Sequence, residues 1–262
     1  MIAPPTASSV FRRVRGLDVL TWPVFDAFPL RAVVTTRAGG RSAGAYGTLN
    51  LSFMVGDDPD DVLANRRAVA AALDSDLADF VFAAQVHGDV AQVVGAADRG
   101  RGTLTAADAV PGADVLVTAD PGTVLAVLAA DCVPIVLYDP VAHVLACAHS
   151  GWRGTVARTA AAAVRAMQSL GSRPADVIAG VGPAVAAARY LIDATVAGAA
   201  AAAFGDQSTT VLQAAGAGQW RFDLWAANRL VLRDAGVPGP NIHITGVPTG
   251  DGQFFSHRAE QP

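Results

Sequence analysis

Three short segments carry side chains able to do metal or nucleophilic chemistry: Gln85-Val86-His87-Gly88, Ala130-Asp131-Cys132-Val133-Pro134 and His149-Ser150-Gly151-Trp152-Arg153-Gly154. Imidazole and thiolate are good zinc ligands, and three protein ligands with one vacant position is the arrangement of catalytic zinc. His87, Cys132 and His149 make such a set. Their separations of 45 and 17 residues match no short ligand motif such as HExxH. Two other readings therefore stay open: hydrogen-bonded strand-end histidines with Cys132 as a small buried hydrophobe, or a Cys132 nucleophile activated by a histidine.

Cys147 lies two residues before His149, hence on the same strand face, and competes with Cys132 as a ligand. Cys132 is preferred because Asp131 and Pro134 mark a strand break where its side chain can turn outward, whereas Cys147 sits inside an apolar strand. With only two cysteines and no export signal, free thiols or a ligand are expected over a disulfide. Arginines offer anion chemistry. Arg37 and Arg41 flank a glycine-rich loop, and Arg153 stands where a following helix exposes its first N–H groups; the alternative for each is a solvated surface arginine. Trp152 suits either base stacking or core packing. His143, after Asp139-Pro140, reads as an exposed turn residue without a role, and His243 and His257 as core or ligand-supporting residues.

The elements that must position these groups follow from periodicity and punctuation. Ala32–Arg37 reads as a strand entering the loop Ala38–Gly47, and Asp57-Asp58-Pro59 caps a helix through Asn65, Arg66 and Leu73. Phe80–His87 reads as a strand in which Gln85 and His87 share a face. Asp114–Thr118, Val124–Ala130, Val133–Tyr138 and Val144–His149 are apolar enough to be buried strands. One long helix is expected over Thr155–Leu170, ending before Gly171. Further on, Ala175–Val181 and Asn241–Val247 are predicted strands, and Ala194–Phe204 and Asp223–Asp234 helices.

Composition narrows the function classes. The 262 residues are 52% hydrophobic and 16% charged, which fits a folded core and argues against disorder. A formal charge of -4 gives no field that would draw nucleic acid or an anionic membrane, so small ligands are the expected partners. The apolar run Val124–Ala130 falls far short of the ~18 residues of a membrane span. The start lacks a basic segment ahead of an apolar one, so residues 1–12 read as a loose tail, residues 13–262 as a single mixed α/β domain, and the location as cytoplasmic.

Taken together, TTRAGG (35–40), TLNLSFMVGDDPDDVLANR (48–66), QVHG (85–88), AADCVPIVLYD (129–139), HSGWRG (149–154), GVGPAV (180–185) and FFSHR (254–258) resemble the YfiH-like family, also called the laccase-domain or polyphenol oxidase family. The resemblance runs in family order from about Thr35 to Arg258. It implies an α/β (α+β type) fold, a layered αββα sandwich with mixed sheets, and zinc on the matching His87, Cys132 and His149, with copper disfavoured. It also implies phosphorolysis of purine nucleosides (adenosine, inosine and S-methyl-5'-thioadenosine) to free base and ribose 1-phosphate, with some adenosine deamination. Asp131 and Gln85 then become candidates for proton handling or ligand support, Arg153 for catalysis and phosphate binding, and Arg37 and Asn50 for substrate or phosphate contacts. A monomer or weak homodimer is expected.

The chain departs from the family pattern in two places. No cysteine follows the GP of GVGPAV or lies near Val247-Pro248, which weakens any account with extra copper sites. The family also tends to continue past FFSxR into a glycine-arginine segment, so a substrate-binding arginine from there is not carried over. Two further activities attributed to relatives compete: a hydrolase trimming a wrong amino acid from a peptidoglycan precursor, and a copper phenol oxidase, for which five histidines and two cysteines are few.

Overall fold

The computed structural model describes residues 8–260. Val10–Val14 (β1) and Leu17–Thr21 (β2) form a hairpin to which Val33–Thr35 (β3) adds antiparallel. The tail expected to reach residue 12 is therefore strand from Val10 onward, where Val10 pairs with Thr21 and Arg12 with Val19; residues 1–7 lie outside the described residues. Helix α1 (Pro59–Ala72) starts as predicted, the Asp58 carboxylate accepting from Asp60 N with proline in the first turn.

Next come β4 (Phe80–Ala84), β5 (Ala91–Val93), β6 (Val110–Pro111), β7 (Val115–Thr118), β8 (Val124–Ala126), β9 (Val133–Asp139) and β10 (Val144–Ser150). They are followed by α2 (Trp152–Val156), α3 (Thr159–Ser169), β11 (Ile178–Val181), β12 (Leu191–Ile192), α4 (Ala194–Phe204) and α5 (Ser208–Val211). The chain continues through β13 (Leu212–Gly216), β14 (Gln219–Phe222), α6 (Leu224–Asp234), β15 (Ile242–Ile244) and α7 (His257–Glu260). Among the described residues no helix is long and apolar enough to cross a membrane.

A six-stranded mixed sheet, order β15-β11-β9-β10-β7-β5, forms the centre, antiparallel inside and parallel at both edges. Because strand side chains alternate, Ile135 and Leu137 of β9 and Ala146 and Ala148 of β10 face a helical layer that includes Val164 of α3 and Val231 of α6. Val136 and Leu145 face the other way, onto Trp22 and Phe25. On that side lies a second β layer made of β1-β2-β3 and the parallel β6-β4-β8. Val81 of β4 meets Leu116 of β7, while Phe80 and Phe82 turn outward to Val69 and Ala70 of α1. Helix, sheet, sheet, helix is the layered αββα sandwich, in one mixed α/β unit; β12-β14-β13 forms a further small sheet beside α4.

Several expected strands are shorter, such as Val33–Thr35, Ile178–Val181 and Ile242–Ile244, and two elements show what cuts them. The helix predicted over Thr155–Leu170 divides at Arg158, whose backbone is left-handed (φ 67°, ψ 42°). Tertiary bonds override helix propensity there: Asn228 Nδ2 donates to Thr155 Oγ1 and Thr159 Oγ1 donates to Gly88 O. The strand predicted over Val124–Ala130 stops at Ala126, because Leu128 is held by the Gln85 side chain and not by a ladder.

Candidate metal centre

Strand β4 ends at Ala84, and His87 adopts φ 61°, a left-handed conformation unusual for a residue other than glycine. This turn ends the two-residue alternation on which Gln85 and His87 were expected to share a face. The Gln85 amide clasps the Leu128 backbone, donating to its carbonyl at 2.8 Å and accepting from its N–H at 2.7 Å. The turn is held instead by Asp114, fully buried at the head of β7. Its Oδ2 accepts from Val86 N (3.1 Å) and Gly88 N (2.7 Å), and its Oδ1 accepts from His87 N (3.0 Å).

The same carboxylate sets the second imidazole. His149, 3% exposed near the end of β10, donates its backbone N–H to the Asp114 carbonyl, and its Nδ1 lies 2.8 Å from Asp114 Oδ1. An ionised carboxylate only accepts, so Nδ1 carries the proton and Nε2 keeps its lone pair for a metal. Burial alone would raise the Asp114 pKa, but the bonds from His149, Gly88 and Val86 hold it below the usual carboxylate value.

Cys132 enters from Asp131, another left-handed residue (φ 85°), just before β9. The ligand atoms of His87, Cys132 and His149 all lie within 4.8 Å of one another. The two imidazole rings meet edge to face with centroids 4.9 Å apart. A Cβ at Gly151 would stand 2.6 Å from Cys132 Sγ and 3.2 Å from His87 Cδ2, so the glycine of HSGWRG leaves room for the ligands. His87 is exposed, Cys132 partly exposed and His149 buried, which opens the cluster on one side. Two nitrogens and a sulfur at this spacing, with one tautomer fixed from behind, can hold a metal ion.

Titration fits a ligand role better than a free nucleophile. Burial, then the charges of Asp131 and Asp114, push the Cys132 thiol up to about 12, so without a cation it stays protonated. Burial, then the charge of His149, lowers the His87 pKa, which favours the neutral imidazole. Cys147 lies outside the trio: its thiol is pushed up to about 12 by burial beside the Val127 backbone. Both cysteines are free, as expected.

The remaining sequence candidates fall in different places. Both Asp131 carboxylate oxygens are engaged: Oδ1 accepts from Thr249 Oγ1 (2.5 Å) and Ser256 Oγ (2.7 Å), and Oδ2 from Arg258 N (2.6 Å). Arg37 is ion-paired with Glu260 at 2.5 Å, donates to Gly47 O and covers the Phe255 ring. Asn50 donates to Ser52 O and Asp57 Oδ2, shaping the loop before α1. Arg41 approaches Asp61 at 3.7 Å. Arg153 is exposed over the Trp152 ring, two residues after Gly151, and its charge helps lower the His87 pKa. The helix it begins, α2, has only five residues, so little macrodipole adds to the guanidinium charge.

Asp114 went unassigned at the sequence level. Its one signal was a lone acid heading the apolar run Val115–Thr118, where a buried charge must find partners. Asn65, wholly buried, is another: its Nδ2 donates to Ser42 Oγ, Thr48 O and Asn50 O, and its Oδ1 accepts from Arg41 N, fixing the glycine-rich loop on α1.

Fold and trio together define a layered α/β protein with a site that could hold a metal ion. Residues 31–262 match the family described as multi-copper polyphenol oxidoreductase laccase, and the chain belongs to that family. It is 39% identical over 233 residues to purine nucleoside phosphorylase YlmD of Geobacillus stearothermophilus, across 88% of this chain and 85% of that protein. It is likewise 39% identical over 234 residues to a purine nucleoside phosphorylase of Deinococcus radiodurans, across 86% and 82%. The crystal structure of YlmD from Geobacillus stearothermophilus superposes with a TM-score of 0.91 at 37% identity, covering 96% of this chain and 94% of that one. That of the Bacillus licheniformis hypothetical protein YfiH gives 0.91 at 34%, covering 95% and 94%.

Proposed function

We propose that this chain is a zinc-dependent purine nucleoside phosphorylase, splitting adenosine, inosine or S-methyl-5'-thioadenosine with phosphate into free base and ribose 1-phosphate, with adenosine deamination as a side activity. One observation carries the reading: two imidazoles and a thiol converge within 4.8 Å at a site open on the His87 side. The relatives named purine nucleoside phosphorylase supply the reaction. Zinc, when bound by His87, Cys132 and His149, supplies a Lewis-acidic charge that orients and activates an oxygen nucleophile.

The chain's own residues do the rest. Asp114 keeps the proton on His149 Nδ1 and fixes the backbone that presents His87. Arg153 holds phosphate on the open side. As the base leaves, the sugar carbon gathers positive charge, and an anion held close to it stabilises that state. Asp131 and Gln85 are positioning residues here, since their polar atoms are taken by Thr249, Ser256, Arg258 and Leu128.

The family description favours copper chemistry as a second reading. Multi-copper oxidation needs several ligand clusters, and among the described residues the trio is the one group of three or more His, Cys or acidic side chains gathered for a metal. Elemental analysis of the purified protein discriminates: about one zinc per chain is expected. Incubation with inosine should release hypoxanthine only when phosphate is present, and Cys132→Ala should abolish it. Phosphate-dependent release that survived in Cys132→Ala would overturn the mechanism.

A further inference from the structure

The candidate anion-binding arginines differ in how their charge is met. Arg37 is spent on Glu260 and Arg41 lies by Asp61. Arg153 and Arg258 make no ion pair among the described residues. Arg258 is brought to the site by the ligand turn itself, because its backbone N–H donates to the Asp131 carboxylate next to Cys132. Its Nη1 donates to Leu191 O at 3.3 Å, and its guanidinium covers the Tyr190 ring 5.2 Å from the centroid. Two uncompensated guanidiniums beside a metal cluster are a setting for an anion.

Tyr190 adds an independent sign of a ligand. The residue is 9% exposed, its ring stacked near Phe222, yet its hydroxyl makes no hydrogen bond among the described residues. The hydroxyl is not one of the sealed polar atoms that lack a partner, so it opens onto accessible space, where it can meet a ligand beside Arg258. Burial, then the charge of Cys132, pushes this phenol up to about 12; Arg258 and Arg153 pull it down and Asp131 pushes it up. Geometry links the groups: Arg258 N lies 2.6 Å from Asp131 Oδ2, next to Cys132, and Gly151, two residues before Arg153, packs against Cys132 Sγ. The phenol, the Arg258 guanidinium and the turn that carries Cys132 are thus neighbours, with Arg153 following the turn that carries His149.

We propose that Arg258, Arg153 and the Tyr190 hydroxyl form the phosphate subsite of this centre, with Arg258 in the role for which the sequence offered Arg37. The guanidiniums neutralise the oxyanion and the phenol donates to it, which places phosphate next to the trio. The assignment of the anion as the attacking phosphate rests on the phosphorylase reading, whereas the existence of an oxyanion site does not.

Two measurements separate these claims. Calorimetric titration of the zinc-loaded protein with inorganic phosphate needs no turnover, and steady-state kinetics on inosine at varied phosphate gives KM for each substrate. Arg258→Gln should weaken phosphate by about tenfold or more, and Tyr190→Phe by severalfold, in both measurements, since charge-assisted bonds are the stronger ones. The KM for inosine should move less than about twofold. Arg258→Lys should recover part of the loss, and Arg165→Gln, on the exposed face of α3, should cause none. Phosphate affinity and phosphate KM unchanged in folded Arg258→Gln and Tyr190→Phe would overturn the subsite while leaving phosphorolysis intact. Phosphate binding lost in those variants with no wild-type base release would uphold the subsite and defeat the phosphorylase reading. If wild type turned inosine over and both variants lost inosine and phosphate affinity alike, the side chains would be general supports and the subsite assignment would be wrong.

Discussion

At the scale of single residues, Asp114 ties together the two imidazoles of the candidate metal site: three backbone N–H groups of the QVHG turn and the ring of His149 end on one carboxylate. Asparagine is nearly isosteric but has one acceptor oxygen and an NH2 that donates, so it cannot receive four donors. Asp114→Asn should lower zinc affinity by about 10–100-fold, the usual loss when a group supporting a metal ligand is removed. A competition titration against a chromophoric chelator would show it, and unchanged affinity would mean that His149 needs no such support. Gly151→Ala tests the ligands' space directly: a Cβ 2.6 Å from Cys132 Sγ must displace the sulfur, and metal content should fall while far-UV circular dichroism is preserved. That His87, Cys132 and His149 come together was legible in the sequence through the combination of QVHG, AADCVP and HSGWRG, since residue type and spacing alone left other readings open. Asp114 was not, because an acid's partners are set by a fold that brings residues 28 positions apart together.

Elements show where local rules stop. The caps and turns written into adjacent residues came through: Asp58-Pro59 starts α1, Asp223 starts α6 by accepting from Ala226 N, and helix α4 has the predicted bounds. What failed was continuity, over Thr155–Leu170 and Phe80–His87, where side-chain bonds to distant backbone redirect the chain. Arg66 of α1 shows the same kind of long-range tie. It is buried between the rings of Phe53 and Phe82, and donates to Leu51 O, Gly102 O and Thr103 O. Burial lowers its pKa to about 10, partly offset by Asp108, and it remains charged at neutral pH. Lysine keeps the charge but lacks the flat fork and the stacking surface. Arg66→Lys should therefore destabilise by about 1–3 kcal/mol in urea, on the scale of losing buried charge-assisted hydrogen bonds. A loss below a few tenths of a kcal/mol would show that the three carbonyls are satisfied without it.

For the molecule as a whole, two sheets packed face to face must be joined at their ends, and the β9–β10 hairpin that runs through the central sheet is closed by Asp139. This carboxylate is 1% exposed; its Oδ1 accepts from Val141 N (2.8 Å) and Ala142 N (3.0 Å), and its Oδ2 from Arg173 N (3.3 Å) after α3. Burial pushes its pKa up, but the bonds from Ala142 and Val141, with others behind them, more than offset this and leave it below the usual value. A depressed folded-state pKa means that the unfolded chain binds the proton more tightly. The stabilisation is therefore complete above the unfolded carboxylate pKa of about 3.9 and is lost as pH falls through the lower folded value. Asp139→Asn retains an acceptor for the turn but places an NH2 where Oδ2 accepts, so at pH 7 it should cost about 1–2 kcal/mol. In acid the wild-type side chain becomes neutral and the difference between the two proteins should shrink. Urea midpoints at pH 7, 5, 4 and 3 measure that gap. A gap that stayed constant across the series would place the acid sensitivity of this fold somewhere other than the hairpin carboxylate that closes its central strands.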